Sequence, residues 1–226
     1  TPPDFTQSLN TPVKGLKIGV IYHDIEGVEF ANKKLMEQLK VFEQLGATVE
    51  KAQAMDPHYA IGVYTVVQRG EVSSNLARYS GVRYKNDRSY FGAEAKRRQM
   101  LGTYTLSKGY AEKYYELAQK VRTLFIDDLN NLFKKYDVLI APTSPCTALP
   151  LGATKGQAMF GEMQDVLVEA SSIAGLPGIS IPCGFVNNLP VGLQIIGKMG
   201  DEATVLKLAQ YYQTITDWHT RSPKIK

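Results

Sequence analysis

The sequence predicts an α/β fold: a mixed β-sheet flanked by helices. Three observations carry this. Lys17-Ile-Gly-Val-Ile-Tyr22 and Thr48-Val-Glu are short apolar runs on either side of a helical repeat, Ala31, Leu35, Leu39 and Phe42. A β-α-β order of this kind implies parallel pairing. Near the other end, Ile179–Cys183 and Val191–Ile196 are apolar runs separated by a segment containing Asn187-Asn188. That pair suits a tight turn, so a hairpin is expected there and the sheet is mixed.

The elements follow in order. Gly15 precedes the first strand and Gly46 stops the first helix. Residues from about Tyr59 to Ala77 read as helix, with Gly70 a weak point. A long helical region runs from Ala93 to about Lys135, with a break expected near Gly102 or Gly109. Its second part has an apolar stripe at Tyr110, Tyr114, Leu117, Val121 and Leu124, which predicts a face that packs. Asp137-Val-Leu-Ile-Ala141 reads as a buried strand ended by Pro142, and Pro142-Thr-Ser-Pro145 as a stiff loop. Residues Gly161 to Ala174 read as helix, terminated by Gly175-Leu-Pro-Gly178. A last helix carries Val205, Leu208, Ala209 and Tyr212 behind Asp201 as N-cap.

The 226 residues show no repeat, no low-complexity linker and no break in composition, so residues 1–226 are read as one domain. A net charge of +4 without any long run of like charges is weak support for direct nucleic-acid binding. No apolar stretch approaches the ~18 residues of a membrane span, so no membrane partner is expected. The start, Thr1-Pro-Pro-Asp-Phe5, has neither an initiator Met nor a leader pattern, and reads as the inside of something longer. Cys146 and Cys183 lie in apolar surroundings and are expected as reduced thiols of a cytoplasmic protein. His23, His58 and His219 lack metal-ligand spacing, so no metal site is expected. There is no Gly-rich phosphate loop. Ser73-Ser74 and Ser180 have no partnered base and read as structural hydroxyls.

The run Gly70-Glu-Val-Ser-Ser-Asn-Leu-Ala-Arg-Tyr-Ser-Gly-Val-Arg-Tyr84 is too polar for a core strand and too specific for a generic loop. Further blocks follow in a fixed order: Ala95-Lys-Arg-Arg-Gln-Met-Leu-Gly-Thr-Tyr104, Ala118-Gln-Lys-Val-Arg122, Asp137–Thr143, Ala174-Gly-Leu-Pro-Gly-Ile-Ser-Ile-Pro182 and Leu189-Pro-Val-Gly-Leu-Gln194. Together they resemble the amidase-signature hydrolases, in the branch of glutamyl-tRNA(Gln) amidotransferase A subunits, over almost the whole chain. The family's Ser–cis-Ser–Lys machinery sits upstream of these blocks in a Gly/Ser-rich segment, and nothing here matches it. The resemblance therefore implies the C-terminal half of such a domain, without catalytic residues of its own and inactive alone.

The resemblance also implies a substrate and partners. The substrate is glutamine, whose released ammonia passes to another subunit that uses ATP and Mg²⁺ to amidate Glu-tRNA(Gln). No cofactor is implied in this chain itself. The expected partners are the other amidotransferase subunits, the missing N-terminal half and, through the complex, tRNA. Three residues match positions that hold the substrate: Arg122 for the α-carboxylate, Asp165 for the α-ammonium and Tyr84 lining the pocket. An Arg fork can bond both carboxylate oxygens, which suits the first role. Read without the family, Arg122 and Asp165 are ordinary helix-surface charges and Tyr84 a packing residue. The chain departs from the family at Ser80 and Lys85, in a shortened loop between Tyr84 and Phe91, and in the wording of Lys155–Met163. Two rival readings are a stand-alone amidase for another amide and a non-catalytic assembly module. The latter predicts a large exposed apolar face.

Overall fold

The structure is a computed structural model in which residues 3–78, 88–153 and 163–223 are described. Five strands form one sheet: β1 (Lys17–Ile21), β2 (Thr48–Ala52), β3 (Val138–Pro142), β4 (Gly178–Val186) and β5 (Leu189–Gly197). Their spatial order is β2-β1-β3-β5-β4. β1 pairs in parallel with β2 and β3, while β5 runs antiparallel to both β3 and β4. The mixed sheet is as expected. The crossover between β1 and β2 is helix α1 (Glu29–Gln44), which buries Ala31, Leu35 and Phe42 at helical spacing. The hairpin turn is made by Asn187 and Asn188 at φ 50° and 63°, the left-handed pair that a two-residue turn requires. Both hairpin strands extend past their apolar runs, to nine residues each.

Helices cover both faces. On one, α1 and α6 (Glu202–Ile215) enclose a core of Ile18, Val20, Ile140, Leu193, Ile195 and Leu208. Within it, Phe42 stacks on Tyr212 at 5.3 Å. Asp201 caps α6, its carboxylate accepting from the Thr204 amide at 3.3 Å. On the other face, α4 (Glu116–Leu132) places Leu129 with Phe133 and Tyr136 against Ile21, Leu139 and Ile196. Helix α2 (Pro57–Ala77) runs through Gly70 without a break. It packs on α3 (Ala93–Thr105) and shares with α4 and α5 (Glu169–Ala174) a cluster of Val63, Val67, Phe125 and Ile173.

Two expectations need correction, and a third is met at one of its two glycines. The long helical region breaks after Thr105, passes through Gly109 at φ 83° and resumes through a π-turn at Ala111–Tyr115. Gly102 lies inside α3, where a Cβ would stand 1.9 Å from the Arg69 carbonyl oxygen, so this glycine serves close helix approach and not a break. The stripe read as a packing face is largely exposed: Leu117 is 56% and Leu124 55% accessible, and Tyr110 and Tyr114 are more than a third exposed. The buried residues of α4 are Ala118, Phe125 and Leu129, on another side of the same helix. The other correction is the helix predicted over 161–174. Among its described residues 164–168 form turns, and a helix is present over Glu169–Ala174. The physical reason lies in the site.

Candidate functional site

Polar side chains gather where β3 runs out at its carboxyl end. Gln194 on β5 is buried, and its amide nitrogen donates to Pro142 O at 3.0 Å and to Leu167 O at 2.8 Å. A buried amide must find such partners. Here they tie the 164–168 turns to the sheet. Residues 164–168 are thereby held as turns against β5, and the helix that follows them begins at Glu169.

Around this tie, Thr143 and Ser180 share a hydroxyl–hydroxyl bond of 2.8 Å. Gly192 lies beneath them: a Cβ there would stand 2.8 Å from Ser180 Oγ and 2.9 Å from Thr143 Oγ1. Cys146 donates its thiol proton to Gln164 Oε1, and Ser144 Oγ donates weakly to Gln164 O at 3.4 Å. The stiff Pro142–Pro145 loop and the 164–168 turns are thus bonded to each other as well as to β5.

Two of the three expected substrate residues are attached to this unit. Asp165 is exposed on the turn, and its carbonyl oxygen accepts from the amides of Val168 at 2.9 Å and Glu169 at 3.2 Å, leading the chain into α5. Arg122 lies on α4, half-buried, and its Nε donates to Ile173 O at 2.6 Å near the far end of α5. That bond fixes the guanidinium while using one of its five N–H groups, and among the described residues nothing bonds the terminal nitrogens. Asp165 and Arg122 therefore engage opposite ends of one short segment, 165–173. Tyr84 lies outside the described residues, as do positions 85–87 of the loop that follows it.

Gln194 is a site-building residue that sequence reasoning missed, although it ends one of the family blocks. The signal was there: a glutamine in an otherwise apolar strand, at a position whose strand neighbours are buried. The Thr143–Ser180 pair was missed for a different reason, since only the registers of β4 and of β3 against the intervening β5 bring the two together.

Other titratable groups lie apart from this unit. Behind it, a small cavity is lined by His23, Asp128, Phe125, Ser171 and Gln194, among others. Burial lowers the His23 imidazole to about 4, partly opposed by the Asp56 carboxylate. Asp56 is itself held below the usual carboxylate range, chiefly because it accepts from the His58 amide. Cys183 is buried, and burial pushes its thiol up to about 12, so it is no nucleophile. Both cysteines are free thiols. Among the described residues no group of three or more His, Cys, Asp or Glu side chains converges as metal ligands would. No helix among them is long and apolar enough to cross a membrane.

Comparison with known proteins bears on what this unit serves. The Amidase family model matches residues 1–206. The A subunit of the glutamyl-tRNA(Gln) amidotransferase of Bacillus pumilus is 44% identical over 99% of this chain and 50% of its own length. The crystal structure of the corresponding protein from Thermotoga maritima superposes with a TM-score of 0.67 at 37% identity, covering 88% of this chain and 42% of that one. The 6-aminohexanoate cyclic dimer hydrolase reaches a TM-score of 0.79 at 18% identity, over 99% of this chain and 50% of that one, and shares the fold. The chain spans about half the length of the curated relatives it matches.

Proposed function

The chain belongs to the amidase family, and from that premise we propose that it is the substrate-binding half of a glutamine-hydrolysing amidotransferase A subunit. The observation that supports this reading best is the setting of Arg122. Family resemblance assigns it the α-carboxylate, and its guanidinium is fixed through Nε, with no bond to its terminal nitrogens among the described residues. An arginine held this way loses little freedom on binding a carboxylate, which suits a recognition role over a surface ion pair. Asp165 supplies the anionic end for the α-ammonium. The resemblance adds Tyr84 as the third residue of the pocket.

The chemistry needs more than this half. Amide hydrolysis in the family runs through an activated serine, and the blocks matched here carry none. The nucleophile, its cis-Ser neighbour and the Lys come from the other half of the domain. The ammonia is consumed in a partner subunit with ATP and Mg²⁺, on Glu-tRNA(Gln). This chain contributes recognition and the wall of the site.

The test is glutamine kinetics on the chain alone and co-expressed with the N-terminal half of its Bacillus pumilus relative. The chain alone is expected to release no glutamate, and the pair to hydrolyse glutamine. In the pair, Arg122→Lys is expected to raise KM by about 10- to 100-fold with a smaller change in kcat, the mark of a lost bidentate contact made in the ground state. Turnover by the chain alone, or an unchanged KM in the variant, overturns the reading.

A further inference from the structure

On the reading of Arg122 and Asp165 as the groups that hold glutamine, we propose that Gln194 is a positioning residue for one of them. It fixes where Asp165 stands relative to Arg122, and so sets the preference for an amide that also carries an α-ammonium group.

The two charged residues are placed by different means. Arg122 sits on α4, a helix of 17 residues, and its Nε donates to Ile173 O at 2.6 Å. That end of α5 is anchored in its own right. Gly175 caps it at φ 72°, and the Gly197 amide on β5 donates to Pro177 O at 2.9 Å. Helix and sheet therefore define the carboxylate end without Gln194. Asp165 stands on turns instead, residues 164–168, ahead of the six-residue α5. A helix this short has little stability of its own with which to hold them.

The backbone at Asp165 is clamped from both sides in the chain. Leu167 O, just after it, accepts from the Gln194 amide at 2.8 Å, and the same amide nitrogen donates to Pro142 O at 3.0 Å. Gln164, just before it, accepts at Oε1 from the Cys146 thiol and at its carbonyl, weakly, from Ser144 Oγ at 3.4 Å. Ser144 and Cys146 belong to the loop that leaves β3 at Pro142. Both clamps thus refer Asp165 to the carboxyl end of β3, and Gln194 bonds that strand end and the turn at once.

Gln194 is suited to the task. It is 5% exposed, so water does not compete for its two carbonyl partners. Its own backbone is set by pairing with Ala141 on one side and Ser180 on the other. A misplacement of about 1 Å at a substrate contact can cost on the order of 100-fold. Freed from Gln194, the turn would carry Asp165 out of register while Arg122 kept its place. The loss would fall on substrates that use Asp165.

Three amides test this, on the pair formed with the N-terminal half of the Bacillus pumilus relative: glutamine, glutaramate, which lacks the α-ammonium, and 4-aminobutyramide, which lacks the α-carboxylate. Gln194→Met should lower kcat/KM by at least ~10-fold for glutamine and 4-aminobutyramide, chiefly through KM, and by no more than ~3-fold for glutaramate. Gln194→Asn is one methylene too short to span both carbonyls. It should give the same order of losses, and it serves if the Met variant does not fold. In an Asp165→Asn background, Gln194→Met should cost glutamine no more than ~3-fold further, because the two act through one contact. Gln38→Met is the control: it removes another buried glutamine, on α1, which accepts from the Tyr212 hydroxyl at 2.9 Å. It should lower the urea midpoint and leave the ranking of the three amides as it was. Equal losses on all three amides, full additivity with Asp165→Asn, the same shift in Gln38→Met, or unfolding of both Gln194 variants overturns the proposal while the glutamine reading stands. A parent pair without glutamine turnover overturns that reading and the proposal with it.

Discussion

The two sides of helix α4 are a direct comparison between closed and open surface. One side places Ala118, Phe125 and Leu129 at i, i+7 and i+11 against α2, α5 and the sheet, and each is almost wholly buried. Another side continues the rings of the preceding turn, where Tyr110 meets Tyr104 in a tilted contact at 4.3 Å and stacks on Tyr114 at 5.9 Å, into Leu117 and Leu124, which are more than half exposed. Both sides are apolar and both have helical periodicity. What separates them is whether any described residue of this chain reaches them. Periodicity reports that a face wants cover; it does not say that the cover lies in the same polypeptide. An exposed face of this size is also what a half-domain would leave open.

The largest expected effect comes from breaking the closed side. Phe125 is 1% exposed, with Val67 and Ile173 in its cluster, and it lines the small cavity beside His23. Phe125→Ala should cost about 3–5 kcal/mol, from lost transfer energy and the enlarged void. The urea midpoint should fall with an unchanged slope. A loss below about 1 kcal/mol would mean that this side is no more closed than the other.

The next test uses pH on the same closed side. Burial lowers the folded His23 pKa to about 4 from an ordinary 6.5. The unfolded chain then binds the proton first as pH falls. The neutral buried ring favours the folded state above about pH 6.5, and that contribution is lost progressively as pH drops from 6.5 to 4. Its size is at most on the order of 3–4 kcal/mol. His23→Gln should flatten the dependence of the urea midpoint in that window. If the parent and the variant lose stability in parallel between pH 6.5 and 4, His23 is not desolvated in the folded chain.

These outcomes bear on how far the sequence could be read. The β-α-β start, the hairpin at Asn187-Asn188 and the Asp201 cap were legible because each is decided by residues close in sequence. The helix over 161–174 was overestimated because a distant glutamine ties the 164–168 turns to the sheet, a contact that local sequence does not show. The helix break was half legible: two glycines stood as candidates, and only Gly102's contact with the Arg69 carbonyl shows which one packs. Arg122 and Asp165 carry no local mark of binding and were singled out by resemblance alone. Their common attachment to segment 165–173 depends on tertiary contacts.

The smallest expected effect is the one that most sharpens the comparison. Leu117 and Leu124 are 56% and 55% exposed, so folding removes only part of their surface from water, and truncating them forfeits little burial. Replacing both with serine should change the stability of this chain by no more than about 0.5 kcal/mol per site. The same double variant should bind less of a dye that reports exposed apolar surface, because the stripe that attracts it has been cut back. Substitutions one helix face away from Phe125 would then differ from it by several kcal/mol at similar hydrophobicity. A cost above about 2 kcal/mol would place the stripe under cover in solution, by self-association or by rearrangement of the π-turn at Ala111–Tyr115. Sedimentation of the parent chain separates those two, since only self-association depends on concentration.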